Sequence, residues 1–181
     1  REVYGIKTIK AEDYMSFSKD DYGIKEVIEL ISETNTMTND ELIEAYLYGW
    51  LVVQFHIAGY TQLIAKHLFN ELGISYRVFY DALFDYVKND KGVIGDHYRE
   101  IQRSVSHYMK TGKILDTGKH GHTLHAGSFA FMFSNKDQIF KLTEEVSKSM
   151  SPISSGILRL QRAFIFDENL NYPFYLECSD G

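Results

Sequence analysis

The residues best suited to chemistry stand together at His120-Gly121-His122-Thr123-Leu124-His125. Imidazoles at i, i+2 and i+5 can converge on one ion if the loop folds around it, and three such ligands with an open fourth position describe a catalytic zinc. Asp116 is near enough in sequence to orient one ligand. The competing reading is a polar turn leading into a helix, with His122 or His125 bonding nearby backbone. The spacing matches no zinc signature, so His120, His122 and His125 are candidate metal ligands with that alternative open.

Other constellations fall short on spacing. His56 and His67 are about three turns apart on a continuous helix and cannot share an ion without a sharp bend. Glu41 and Glu44 resemble half of a di-iron carboxylate set, but the Glu-x-x-His partners are missing. The single cysteine, Cys178, cannot form an internal disulfide, a four-thiolate zinc site or an iron–sulfur cluster. No Gly-x-Ser-x-Gly elbow, Walker loop or Gly-x-Gly-x-x-G occurs. The 13 tyrosines and 12 phenylalanines fall largely at helical spacing and read as core.

These residues would be positioned mainly by helices. Thr38 and Glu41 form a capping-box pattern that opens a central helix through Trp50 and Phe55, most apolar over Leu42–Ala58, with Gly49 and Gly59 allowing close packing or a bend. Gly73 and Gly112 read as helix stops and Ser75 as a cap. Tyr76, Phe79, Tyr80, Leu83, Phe84 and Val87 share one face. Asp96 reads as the cap of the next helix. Leu124–Phe133 is helical, Asn135 and Gln138 give a second capping-box pattern, and Ile157–Phe166 is a last short helix. Strands are expected at residues 3–10, 24–31 and Tyr172–Cys178. The expected fold is mainly α: one compact domain over residues 1–181, about five to seven helices, with a few short strands from the two chain ends.

Composition narrows the partners. A formal net charge of −6 without a basic run disfavours nucleic acid. The longest apolar run, Leu42–Ala58, is interrupted by Glu44, Gln54 and His56 and falls short of the roughly 20 residues of a membrane span. Cytoplasm is the expected compartment, because no disulfide framework exists. The chain opens on Arg1 and is expected to be part of a longer product.

Several segments together resemble the C-terminal region of bacterial cobalamin-binding-type radical SAM proteins. They are Thr36-Met37-Thr38 with Glu41–Asn70, Ile74-Ser75-Tyr76 with Phe79–Val87, Gly121–Phe140, and Leu160–Phe174, the last similar to a Leu-x-x-Gln-type helix followed by Tyr-Pro. The resemblance implies a parent enzyme with cobalamin-binding and radical SAM domains upstream, using a [4Fe–4S] cluster, S-adenosylmethionine and cobalamin. It implies no cofactor or catalytic residue on this chain. The implied role is a helical extension that packs on the radical SAM barrel and closes over its substrate. The alternatives are an independent metal- or tetrapyrrole-binding domain using His120, His122 and His125, or a plain helical interaction module. Expected contributors to a docking face are Val3–Ile9, Tyr172–Leu176 and the histidine loop.

Overall fold

Helix signals written into the sequence as caps and glycine stops govern most of the architecture. The computed structural model describes residues 2–12, 27–113, 115, 124–153 and 155–165, with backbone only at Glu12 and at 124–126. A 3-10 turn (Glu2–Tyr4) precedes strands β1 (Lys7–Glu12) and β2 (Val27–Glu33). Helices α1 (Asn39–Val52), α2 (Gln62–Leu72), α3 (Tyr76–Asn89), α4 (Val93–Thr111), α5 (Leu124–Ser134), α6 (Lys136–Met150) and α7 (Ser155–Phe164) follow, with a π-helical turn, Val53–Ile57, closing α1. The fold is mainly α, as expected. Both described strands come from the first 33 residues; the expected strand Tyr172–Cys178 lies outside the described residues.

Helix α1 starts where the capping box predicts. The Thr38 hydroxyl accepts from Glu41 N–H, and the Glu41 carboxylate accepts from the Thr38 amide at 2.7 Å. These bonds satisfy first-turn amides that no helical carbonyl can reach, and they hold the Glu41 carboxyl below its usual range. Helices α2 and α4 stop at Gly73 and Gly112, both left-handed at φ 67° and 70°, a conformation that burdens residues with a Cβ.

Two start signals act differently from expectation. Helix α4 begins at Val93, before Asp96, because the Asp90 carboxylate reaches forward to accept from Gly95 N–H at 2.8 Å. Asn135 makes no side-chain cap on α6. Its amide donates to the Phe131 carbonyl at 2.9 Å, because one residue serves as the whole connection between α5 and α6.

Helix α1 packs on α4, α4 on α3 and α6, and α2 on α3 and α7. Leu47, Trp50, Leu51, Phe55, Phe79, Leu83, Ile101 and Ile139 form the centre. The face predicted for α3 is the buried one, with Tyr76 at its half-buried edge. Strands β1 and β2 pair antiparallel, Ile9 opposite Leu30 and Ala11 opposite Ile28. Ala11 is buried and Leu30 packs on the core, while Lys10 and Glu29 face out, the alternation a half-covered ribbon requires. A Cβ on Gly112 would lie 2.0 Å from the Lys10 carbonyl, so the glycine also lets β1 dock on the end of α4.

Candidate functional site

Of the three candidate metal ligands, His120 and His122 lie outside the described residues, and His125 is described only as backbone in the first turn of α5. Among the described residues no group of three His, Cys, Asp or Glu side chains gathers to hold an ion, and Cys178 lies outside them. Glu41 and Glu44 line an open groove with Asp81 and Asp85, yet each is already engaged. Glu41 serves the helix cap. Glu44 pairs with Lys88 at 2.7 Å.

The long apolar stretch does not continue as one helix. Ala58 N–H bonds the Val53 carbonyl at 3.1 Å, five residues back, and the chain then turns at Gly59, φ 90°. His56 and His67 therefore sit on different elements. Gly59 is the expected bend, and Phe164 and Ile165 press on it within 3.0–3.1 Å of where a Cβ would stand. Gly49, by contrast, has nothing among the described residues within 4 Å of where a Cβ would stand, so none of them packs closely on it.

The π turn carries the most developed polar site among the described residues. His56 Nδ1 lies 2.6 Å from the Tyr80 hydroxyl, which lies 2.8 Å from Thr61 Oγ1. A separation of 2.6 Å belongs to O–H donors and is short for N–H donors. Tyr80 thus donates to Nδ1 and accepts from Thr61, leaving the imidazole hydrogen on Nε2. Burial pushes the Tyr80 phenol above the ordinary tyrosine range, so it stays a donor. Burial, and secondarily the Lys66 ammonium, hold His56 below the ordinary histidine value. The result is a neutral imidazole with fixed orientation. The Tyr76 ring stands edge-on to it, with centroids 6.0 Å apart, and Phe69 lies 5.4 Å beyond Tyr76.

Two buried ties hold the surrounding helices. Trp50 Nε1–H donates to Ser128 Oγ at 3.1 Å, and Ser128 Oγ stands 3.1 Å from His97 Nε2. Indole is a donor only, so Ser128 accepts from Trp50 while its oxygen also bonds the His97 ring nitrogen. The His97 ring stacks on Phe131 at 3.8 Å. This joins α1, α4 and α5. In the second tie, buried Gln161 of α7 accepts from Leu63 and Ile64 N–H at 2.7 and 3.3 Å and donates to the Gly59 carbonyl. A side chain 97 positions away thereby satisfies the first amides of α2, where Thr61 supplies no side-chain cap. Sequence reasoning singled out none of Thr61, Tyr80, Ser128 or Gln161 for these roles. The available cue was His56, which falls opposite the buried face of α1 when that helix is extended at a regular period.

No family model matches the chain. Part of it is similar to the cobalamin-dependent radical SAM methyltransferase TokK of Streptomyces tokunonensis, 32% identical over 85 residues, which is 47% of this chain and 12% of that protein. It is also similar to the 2-(S-pantetheinyl)-carbapenam-3-carboxylate methyltransferase of Streptantibioticus cattleyicolor, 24% identical over 107 residues, 59% of this chain and 16% of that enzyme. The matches therefore span less than a fifth of either relative. Among the described residues no helix is long and apolar enough to cross a membrane.

Proposed function

We propose that this chain is the non-catalytic, C-terminal helical domain of a cobalamin-dependent radical SAM enzyme, packing on the catalytic barrel and closing over its substrate. The observation that carries this reading is the local similarity to two methyltransferases, confined to 12% and 16% of their lengths. Such a stretch is too small to be the whole enzyme, and the described residues of this chain are mainly helical.

The donor set agrees with a supporting role. A [4Fe–4S] cluster that leaves one iron for S-adenosylmethionine takes three thiolates, and this chain has Cys178 alone. The chain's own residues do not fit that cluster, so the cluster belongs to the preceding part of the enzyme. What the chain supplies is a stiff helical body, tied across α1, α4 and α5 by Ser128 and across α2 and α7 by Gln161.

The test is anaerobic reconstitution with iron and sulfide. The chain alone is expected to develop no iron–sulfur absorption and to leave S-adenosylmethionine intact. The full-length polypeptide is expected to do both. Deleting residues 1–181 from it should retain the cluster absorption and lower turnover. Cofactor cleavage by the chain alone, or the lack of a three-cysteine motif in the full-length polypeptide, would overturn the reading.

A further inference from the structure

Helix α7 is fastened in a different way from the helices of the core. Helices α1, α2, α3, α4 and α6 each bury three or more side chains, most of them apolar. Helix α7 buries Gln161 alone, and that side chain is polar. Ile157 and Leu158 pack on the core half-buried, and Phe164 is half-exposed. The Gln161 amide accepts from Leu63 and Ile64 N–H and donates to the Gly59 carbonyl. The Arg162 guanidinium lies over the Phe140 ring, 4.8 Å from its centroid. Water can replace each of the Gln161 bonds once the helix lifts, so their net contribution is modest. A core helix has no such substitute, because lifting it returns buried apolar area to water.

The chain before α7 gives it a pivot. Helix α6 ends at Ser151, whose backbone is extended at φ −163° and ψ 153°, and Pro152 has no N–H with which to continue a helix. Ile153 is buried just beyond it, so the connection is anchored in the core and its freedom begins after that residue. Helix α7 is 10 residues long, and a helix shorter than about 12–15 residues is marginal in water without packing. Lifting therefore unwinds it, and the two events become one step. That step also strips the start of α2, because no helical carbonyl reaches the Leu63 and Ile64 amides. It relieves Gly59 as well, on which Phe164 and Ile165 press beside the π turn.

We propose that α7 is a strap, latched by Gln161, that opens from the start of α2 as a separate cooperative unit while the core of α1, α3, α4 and α6 stays folded. The open state bares two backbone donors at Leu63 and Ile64, an acceptor at Gly59, and the face of Phe140 that Arg162 covers. All of these contacts lie within the chain, so the strap does not depend on the function proposed above.

Native-state hydrogen exchange, followed by NMR at single amides, tests the strap. The amides of Leu63, Ile64, Gln161 and Arg162 are expected to exchange through one shared opening, roughly 100-fold or more frequent than that of Leu51 and Ile101 in the core. Ser128→Ala weakens the tie among α1, α4 and α5, which the open strap leaves intact. It is expected to quicken Leu51 and Ile101 by roughly tenfold or more and to leave the four strap amides unchanged. Gln161→Ala removes the latch and is expected to quicken the Arg162 amide by roughly tenfold or more. Leu63 and Ile64 exchanging only together with Leu51 and Ile101 would overturn the strap, as would strap and core quickened by one factor in Ser128→Ala. Fast exchange in α7 with Leu63 and Ile64 as slow as the core, or an unchanged Arg162 amide in Gln161→Ala, would overturn Gln161 as the latch. The profiles of the native chain and of Ser128→Ala decide the strap even where Gln161→Ala does not fold.

Discussion

Ser128→Ala tests the joint that holds α5 to the core. The substitution deletes one oxygen from a fully buried position, so the loss of packing is small. Its cost comes from the two groups left behind. Trp50 Nε1–H loses its acceptor and His97 Nε2 its hydrogen-bond partner. Leaving a buried polar group unsatisfied costs about 1–3 kcal/mol. Partial relaxation of α5 recovers some of that, giving an expected loss of about 2–4 kcal/mol. For a chain of this size each kcal/mol moves the melting temperature by roughly 2–4 °C. Trp50 is the only tryptophan, so its emission during urea unfolding reports on this joint directly. A Trp50→Phe background followed by circular dichroism completes a double-mutant cycle. With the indole donor already gone, Ser128→Ala should cost about 1–2 kcal/mol less than it does alone. A loss under about 0.5 kcal/mol in the first background, or the same loss in both, would refute the shared-hydroxyl argument.

Three further substitutions probe other parts of the fold. Trp50→Ala, at a side chain 1% exposed, should destabilise the chain by about 3–5 kcal/mol from lost burial and the cavity left behind; a urea melt unchanged within error would contradict this. Gln161→Leu should cost about 2–3 kcal/mol, because it strands the Leu63 and Ile64 amides at the start of α2. Hydrogen exchange should quicken at those two amides first, and uniform loss of protection would argue against a local cap. His56 is held below its ordinary value in the folded chain, so the unfolded chain takes up its proton first as pH falls. The stability tied to neutral His56 is fully present above about pH 6.5 and declines as pH drops below it. Stability of the native chain should therefore fall more steeply than that of His56→Phe as pH drops below about 6.5, and parallel profiles would exclude the linkage.

The features legible in the sequence are those whose cause lies within a few residues. The Thr38–Glu41 box, the Ser75 cap, the glycine stops at 73 and 112, and the α3 stripe all depend on neighbours along one helix. Where those signals misled, a competing local partner had taken the group. Asp90 starts α4 ahead of Asp96, and Asn135 spends its amide on the helix behind it. The candidate site was hidden for a different reason. Its partners are distant in sequence: Tyr80 is 24 positions from His56, Ser128 is 78 from Trp50, and Gln161 is 98 from Leu63. Tyr80 was visible only as one more ring on an apolar face, because helical period reports which side is buried and says nothing of what a hydroxyl meets there. The π turn shows the same limit at the backbone. Nothing in the residues Val53–Ile57 forces a bond five residues back. The turn coincides instead with tertiary demands, Tyr80 drawing His56 inward and α7 pressing on Gly59 where the chain reverses. A polar residue standing opposite the core of an otherwise apolar helix is the sequence trace of that demand, since an ordinary helix end would have left His56 in water and needed no partner for it.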